Sequence, residues 1–339
     1  MTMIWGRMQR REFITLIGGV AGAGACPLAT RAQQQRPAMP VIGFLSAGTL
    51  EMVRDYVGAF HRSLAAAGFA EGRNVAVEYR WSEGHNDRLP AQAADLVRRQ
   101  VTVIVAASTP ASLAAKAATQ TIPIVFAVGA DPIAIGLVAN LAHPDGNITG
   151  VTNLNVELFK KCFELMYSLM PPASTIGILV NPTNIAQTAT EKASVQEAAR
   201  ALNARFVILD AGSPSEIETA FDALVRQRLS ALVVSGEIFF LTQRGRLVEL
   251  ATRHAVPTIY AWREFPEAGG LMSYGADFAE PYRVLGTYAG RILKGEKPAN
   301  LPVQQATKVE LVINLKTAKA LGLNIPNTLI GRADKVIEE

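Results

Sequence analysis

From Pro40 onward, short apolar runs rich in β-branched residues alternate with alanine-rich stretches of helical periodicity. The apolar runs lie at 41–45, 75–79, 101–106, 123–127, 175–180, 205–211, 231–235, 257–261 and 308–314. The helical stretches lie at 52–67, 88–99, 110–119, 132–141, 187–202, 214–227, 240–254, 279–294 and 315–321. Runs that are apolar throughout are typical of parallel strands covered on both faces. The alternation therefore predicts an α/β fold with doubly wound parallel sheets.

The two halves of the chain repeat one another in spacing. Measured from Gly43 and from Gly177, the fourth predicted strand begins 80 residues later in each half, at Pro123 and at Pro257. Such a repeat indicates a duplicated Rossmann-like lobe. Two such lobes side by side bring the carboxyl ends of both sets of strands to one crevice, where open α/β sheets bind their ligands.

Two segments are predicted to cross between the lobes, at 147–152 and at 270–275. Further elements follow the second crossing, so we expect each lobe to consist of two pieces of chain. Lobe one is expected to comprise 37–150 and 276–303, and lobe two 151–275 and 304–339. A pair of lobes joined by such crossings is expected to hinge.

The amino terminus has the pattern of an export signal. Arg10 and Arg11 precede Phe13, and the segment 15–30 is uncharged and rich in glycine and alanine. This order predicts a twin-arginine-type signal peptide over residues 1–32 and a periplasmic location. Without those residues the net charge falls from +4 to +1, with 29 basic and 28 acidic residues. The small remaining charge argues against nucleic acid as a partner.

Motifs that carry catalytic chemistry are missing after the signal segment. We find no HExxH, CxxC, GxSxG or P-loop, and no GxGxxG that follows a strand. The four histidines have no spacing that suits a metal ion. We therefore expect no cofactor, no metal and no enzymatic activity. An exported α/β enzyme of unknown reaction is the alternative.

A small polar residue followed by proline recurs where a predicted strand gives way to a helix. The three instances are Ser108-Thr109-Pro110, Asp131-Pro132 and Asn181-Pro182. The polar residue can cap the helix, and proline suits its first turn. Free N–H groups and the helix dipole at such a terminus favour a carboxylate. The three helix starts together predict a site for an anionic group, although each polar residue can also serve as a cap alone.

Other candidate ligand contacts follow predicted strands. Ser46 can add a hydroxyl to the anion site, or serve as a plain turn residue. Asp131 and Glu237 are candidates for pairing with an ammonium group, because a carboxylate that faces a cleft needs a cation or hydrogen-bond donors. Trp81 and Trp262 can each form a wall for an apolar ligand side chain, or pack where the lobes meet.

Longer segments of the sequence resemble one known family. They are RREFITLIGG, MPVIGFLSAG, GRNVAVEYRWSEG, DRLPAQAADLVRRQV, TIPIVFAVGADP, NITGVT, VPTIYAWREFPEAGGLMSYG and LPVQQATKVELVINLKTAKALGL. The chain resembles, nearly end to end, the ABC-transporter substrate-binding proteins with the type I periplasmic-binding fold, relatives of the tryptophan/tyrosine-type receptors. The resemblance implies capture of an amino acid or a related organic acid for an ABC permease of the inner membrane. We expect the protein to be a monomer. The alternative to delivery to a permease is that the bound protein signals to a sensor.

The ligand-contacting loops of that family correspond here to particular residues. They are Ser46, Ser108, Thr109, Asp131, Asn181 and the loop that starts at Ser235. The sequence of this loop is Ser235-Gly236-Glu237-Ile238, whereas in many relatives the loop is more similar to Ser-Asp-Pro. This difference from the relatives lies in the loop by which lobe two would contact the ligand. It therefore affects which ligand the site can accept. Ligand binding is expected to close the lobes and exclude water.

Overall fold

Two open sheets organise the part of the chain that the computed structural model describes, residues 39–144, 146–153 and 155–338. The predicted signal peptide lies outside these residues. The strands are β1 (Val41–Ser46), β2 (Ala76–Trp81), β3 (Val103–Ala106), β4 (Ile124–Val128), β5 (Ile148–Thr152), β6 (Thr175–Val180), β7 (Arg205–Asp210), β8 (Ala231–Val234), β9 (Thr258–Tyr260), β10 (Met272–Ala276), β11 (Gln304–Gln305), β12 (Val309–Asn314) and β13 (Lys335–Ile337).

Helices cover the faces of both sheets. They are α1 (Leu50–Ala66), α2 (Leu89–Arg98), α3 (Thr109–Ala118), α4 (Asn155–Leu169), α5 (Ile185–Leu202), α6 (Pro214–Arg226), α7 (Ile238–Thr242), α8 (Arg244–Arg253), α9 (Glu264–Glu267), α10 (Ala279–Leu293), α11 (Leu315–Ala320) and α12 (Asn327–Ile330). None of the helices in the described residues is long and apolar enough to cross a membrane.

The six-stranded sheet has the order β11-β5-β4-β3-β1-β2, and its strands are all parallel. With α1–α3 and α10 it forms what we call lobe one. The seven-stranded sheet has the order β13-β12-β10-β9-β8-β6-β7, with β12 antiparallel to β10. With the remaining helices it forms lobe two. The predicted fold class, two doubly wound α/β lobes, is confirmed.

Lobe one is completed by a helix from the far end of the chain. Helix α10 packs along α1, and glycines allow the two backbones to approach closely. A Cβ atom at Gly286 would overlap the hydroxyl of Ser63 and the carbonyl oxygen of Phe60, and one at Gly290 would overlap Ala67. Any larger side chain at these two positions would therefore separate the helices.

Some predicted elements differ from those observed. The stretch 132–141 is a series of turns and not a helix, because Gly136 has a φ of +70° and the backbone N–H groups of Leu137 and Val138 both reach the carbonyl of Pro132. Helix α4 was not predicted at all.

The crossings also lie later than the sequence indicated. The segments 147–152 and 270–275 largely form β5 and β10, which are strands within the two sheets. The chain passes between the sheets after β5, after β10, and again between β11 and β12. Gln304 and Gln305 pair with Val151 and Thr152 in the first sheet, so the sheets place the third crossing after the expected boundary at 303/304.

Candidate ligand-binding cleft

A cavity of about 50 Å³ lies between the lobes, at the carboxyl ends of strands from both sheets. Its walls come from the loops after β3, β4 and β5 on one side and after β6, β8 and β9 on the other, with the start of α10 between them. The lining residues are Ala107–Pro110, Ala127–Gly129, Asn153, Asn184, Gln187, Gly236–Ile238, Trp262, Phe278, Pro281 and Tyr282. This is the position at which open α/β sheets bind ligands.

On the lobe-one side, the start of α3 reaches the cavity. Ser108 caps the helix, since its hydroxyl accepts a hydrogen bond from the backbone N–H of Ala111 at 3.3 Å. Pro110 has no N–H group, and the hydroxyl of Thr109 accepts a bond from the backbone N–H of Gly129 at 3.3 Å. The helix dipole still favours negative charge here. However, the first turn offers fewer free donors than an uncapped helix would.

On the lobe-two side, a buried carboxylate borders the cavity. Glu237 is 2% exposed. Its Oε2 atom accepts hydrogen bonds from the backbone N–H of Phe239 at 2.6 Å and from Nδ2 of Asn181 at 3.1 Å. Its Oε1 atom has no hydrogen-bond partner among the described residues. Burial raises the pKa of this carboxyl, and the bonds from Asn181 and Phe239, together with the nearby side-chain amides of Asn184 and Asn86, oppose the rise.

A row of buried polar side chains lies behind this wall. Oε1 of Glu191 accepts hydrogen bonds from the hydroxyl of Ser235 at 2.7 Å and from Nε2 of Gln187 at 2.8 Å. Oε1 of Gln187 in turn accepts a bond from Nδ2 of Asn184 at 3.2 Å. Burial raises the pKa of Glu191 to about 7, and the negative charge of Glu237 adds to the rise, while the bonds from Gln187 and Ser235 oppose it.

Aromatic side chains form the apolar part of the cavity. The rings of Trp262 and Phe278 stack with centroids 3.4 Å apart and planes inclined by 14°. Tyr282 and Ile238 complete this wall. In the part of the chain that the structure describes, the buried Nε1–H of Trp262 has no acceptor. Because an indole N–H can only donate, a bound group that satisfies it must carry an acceptor oxygen or nitrogen.

Side-chain hydrogen bonds between described residues join the lobes beside the cavity. The hydroxyl of Tyr56, on α1, donates to the carboxylate of Glu264, on α9. Nδ2 of Asn86, which follows β2, donates to the hydroxyl of Thr183, which follows β6, at 3.2 Å. Both bonds span the cleft, so the arrangement is a closed one.

Four of the residues that the sequence indicated lie at this cavity: Ser108, Thr109, Glu237 and Trp262. They come from three different loops and both lobes. Trp262 also packs against Phe278, so its two expected roles, ligand wall and packing where the lobes meet, are combined.

Two further predicted residues lie behind the lining. Asn181 and Ser235 are both 1% exposed. Asn181 donates a hydrogen bond to Glu237, and Ser235 donates one to Glu191. Asn181 does not start a helix as expected. Its side chain accepts a bond from the backbone N–H of Thr183 at 3.0 Å, and α5 begins only at Ile185.

Three predicted residues are outside the lining set. Ser46 is buried at the end of β1, where its hydroxyl accepts a bond from the backbone N–H of Gly48 at 3.2 Å. Asp131 is exposed and caps a turn, because its carboxylate accepts a bond from the backbone N–H two residues later at 2.8 Å. Trp81 stacks on Tyr79 within lobe one, with centroids 5.7 Å apart.

Sequence reasoning missed the polar residues of α5 and of the loop before it. Asn184, Gln187 and Glu191 are all less than 5% exposed. Their spacing of three and four residues places them on one face of a helix. Such a polar stripe inside a helix that packs on a sheet is the signal that could have identified them. Within the described residues, no group of three His, Cys, Asp or Glu side chains is placed to hold a metal ion.

Two doubly wound lobes with a cleft at the carboxyl ends of their strands define the type I periplasmic binding proteins. Within that class, residues 40–337 match the family described as ABC transporter substrate binding protein. The chain belongs to this family, whose substrate-binding proteins are extracytoplasmic.

Three similar proteins are informative. A tyrosine-binding protein of Clostridioides difficile (strain R20291) is 26% identical over 265 residues, which cover 78% of this chain and 75% of that protein. The ABC domain in complex with L-Trp from Streptococcus pneumonia is 26% identical, with a TM-score of 0.79, and covers 88% of this chain and 99% of that one. A conserved domain protein from Vibrio cholerae O1 biovar El Tor N16961 is 25% identical, with a TM-score of 0.81 and the same coverage.

Proposed function

We propose that this protein captures an α-amino acid with an aromatic or large apolar side chain and delivers it to an ABC importer. One observation carries the proposal. The same cavity contains a buried carboxylate oxygen of Glu237 and a buried N–H of Trp262, and neither has a partner among the described residues. A buried acceptor and a buried donor left unpaired each cost free energy that a matching ligand removes.

The ammonium group is assigned to Glu237. An ammonium offers three donors and a positive charge, and it would satisfy Oε1 while stabilising the ionised form of this carboxyl. Nothing basic lines the cavity, so the charge of Glu237 is not compensated there by the residues that the structure describes. A ligand without a positive charge would leave the buried carboxylate unpaired.

The carboxylate is assigned to Trp262 and to the start of α3. Nε1–H of Trp262 donates one hydrogen bond to it. The positive end of the α3 dipole, beside Ser108 and Thr109, adds a favourable field. With the capping bonds of that helix already made, the indole is the principal specific donor in this assignment.

The side chain of the ligand is assigned to the aromatic wall. Trp262, Phe278 and Tyr282 present ring faces that suit stacking with another aromatic group. The relatives support this choice, since one is named for tyrosine binding and another is described in complex with L-Trp.

We further propose that closed, ligand-bound protein is the form that an inner-membrane permease recognises, and that the protein acts as a periplasmic monomer exported through the twin-arginine route. Because the cavity is about 50 Å³ in the closed arrangement, the ligand must arrive while the lobes are apart. The protein on this proposal binds its ligand without transforming it.

Isothermal titration of the purified protein with L-tryptophan, L-tyrosine and L-phenylalanine tests the proposal. We expect at least one of them to bind, and to raise the free energy of unfolding by about 2.7 kcal/mol at a hundred times its Kd. Glu237→Gln should weaken binding by about 2–5 kcal/mol, since it removes one partner of a buried charge pair. Glu249→Gln, which alters an exposed pair on α8 with Arg253, is the matched control and should bind normally.

Binding of sugars or of uncharged aromatic compounds, with no binding of any amino acid, would contradict the proposal. Recovery of chemically altered ligand after incubation would instead favour the enzyme alternative. Transport and sensing are separated by measuring uptake of the bound amino acid in cells that lack the gene for this chain.

A further inference from the structure

The row of buried polar side chains behind the cavity is a chain of hydrogen bonds that runs from the interior of lobe two to the cavity. It begins at Glu191, which is fully buried on α5, passes through Gln187, and ends at Asn184, which lines the cavity. The three side chains are joined by hydrogen bonds of 2.8 and 3.2 Å. The first member is a carboxyl group and the other two are amides, and an amide can donate from one side and accept from the other.

The carboxyl group decides which way each amide faces. Oε1 of Glu191 is an acceptor, so the NH2 group of Gln187 must face it. The carbonyl oxygen of Gln187 then faces Asn184 and takes the NH2 group of that side chain. The orientation of both amides therefore follows from the chemistry of the first residue in the row.

The last amide carries this orientation into the cavity. With its NH2 group directed at Gln187, and also close enough to Glu237 to lower the pKa of that carboxyl, Asn184 retains its carbonyl oxygen for other partners. Oε1 of Glu237 is a second acceptor without a partner in the residues that the structure describes. Near the start of α5, the lobe-two side of the cavity thus presents acceptors, the oxygens of Asn184 and Glu237, while its donor, Nε1–H of Trp262, lies on a different loop.

We propose that Glu191 is a positioning residue for ligand selection: through Gln187 it holds the Asn184 carbonyl oxygen toward the cavity, which then selects a ligand with an ammonium group over the same molecule without one. The inference rests on the proposed function, because it concerns the same cavity. Glu191 itself does not touch the ligand. Ser235, in the loop after β8, helps to hold Glu191 in place, because its hydroxyl donates a hydrogen bond of 2.7 Å to Oε1 of Glu191.

Two replacements at this position separate positioning from packing. Glu191→Met removes the acceptor and nearly preserves the volume. Glu191→Gln also removes the charge, but its amide oxygen can still accept the bonds from Gln187 and Ser235. The probes are L-tryptophan and indole-3-propionate, which differ by the ammonium group, and L-tyrosine with 3-(4-hydroxyphenyl)propionate. Isothermal titration of each folded variant gives the ratio of the two Kd values within a pair.

We expect the wild-type protein to prefer the amino acid by about a hundredfold or more, because a site built for hydrogen-bond donors rejects an analogue that lacks them. Glu191→Met should reduce this preference by about tenfold, and Glu191→Gln should largely restore it. A folded Glu191→Met protein with the wild-type preference would overturn the inference. So would equal losses of preference in both variants.

Failure of the proposed function gives a different result. If the wild-type protein binds neither amino acid, the proposed function is wrong and the inference falls with it. If it binds one and the preference does not respond to Glu191, only the inference is wrong. Should Glu191→Met not fold, Gln187→Met interrupts the row while Glu191 keeps its bond to Ser235, and it should reduce the preference to a similar extent.

Discussion

Tyr56 of lobe one donates a hydrogen bond to the carboxylate of Glu264 of lobe two, across the cleft. Both side chains are largely buried, and burial raises the pKa of Glu264, an effect that the bond from Tyr56 opposes. The contact is made only when the lobes are together. It therefore contributes to the equilibrium between open and closed protein, in addition to any contribution from the ligand.

Tyr56→Phe should weaken ligand binding by about five- to tenfold, because a hydrogen bond to a charged group stabilises by about 1.5–3 kcal/mol and part of that is recovered by water in the open form. Titration calorimetry measures the affinity, and small-angle scattering measures the radius of gyration without ligand. Tyr288→Phe is the matched control, since it removes a 2.7 Å bond to Pro302 within lobe one. Equal affinity losses in both variants would contradict a role in closure.

Trp262→Phe should keep the stacking on Phe278 and remove the Nε1–H donor. We expect the affinity for an amino acid to fall by roughly tenfold, with little loss of thermal stability, because the wild-type donor is buried without a partner among the described residues. Trp81→Phe, at a tryptophan that is not part of the cavity lining, should leave affinity unchanged. An unchanged affinity in Trp262→Phe would remove the indole from the carboxylate assignment.

Glu191 should make stability depend on pH. Its pKa of about 7 in the folded protein exceeds the value of about 4.3 in an unfolded chain, so folded protein holds the extra proton between these values. The corresponding stability is fully present below pH 4.3 and is lost as the pH rises to about 7, a change on the order of 4 kcal/mol.

The groups that face this carboxyl are the amide of Gln187, the hydroxyl of Ser235, the carboxyl of Glu237 and the thiol of Cys162. Glu191→Gln cannot titrate at this position. Urea unfolding at pH 5 and pH 8 should therefore show a smaller loss of stability in the variant than in the wild type. Parallel losses in the two proteins would show that Glu191 titrates near its unfolded value.

The fold could be predicted from the sequence because strands of a parallel sheet are covered on both faces and read as continuous apolar runs. Strand β6, predicted at 175–180, has those bounds in the structure. The turns at 132–141 were misjudged because the segment is apolar, and local composition does not reveal that Gly136 adopts a left-handed conformation.

The candidate site was predictable to the extent that loops after strands must meet at the crevice. Ser108 and Glu237 follow strands directly, so the topology brings them there. Gln187 and Glu191 lie within a helix, where a polar residue ordinarily faces solvent. Their burial depends on which face of α5 packs against the rest of lobe two, and that is a tertiary property.

The close packing of α1 and α10 has a consequence for synthesis of the chain. The partner of one of the first helices to leave the ribosome is encoded more than 200 residues later, and its Gly286 fits closely against Phe60 and Ser63. Lobe one therefore cannot complete its core while lobe two is being made. A chain that stops before residue 279 would leave the face of α1 exposed, and such a fragment should bind chaperones or be degraded while the full-length protein persists.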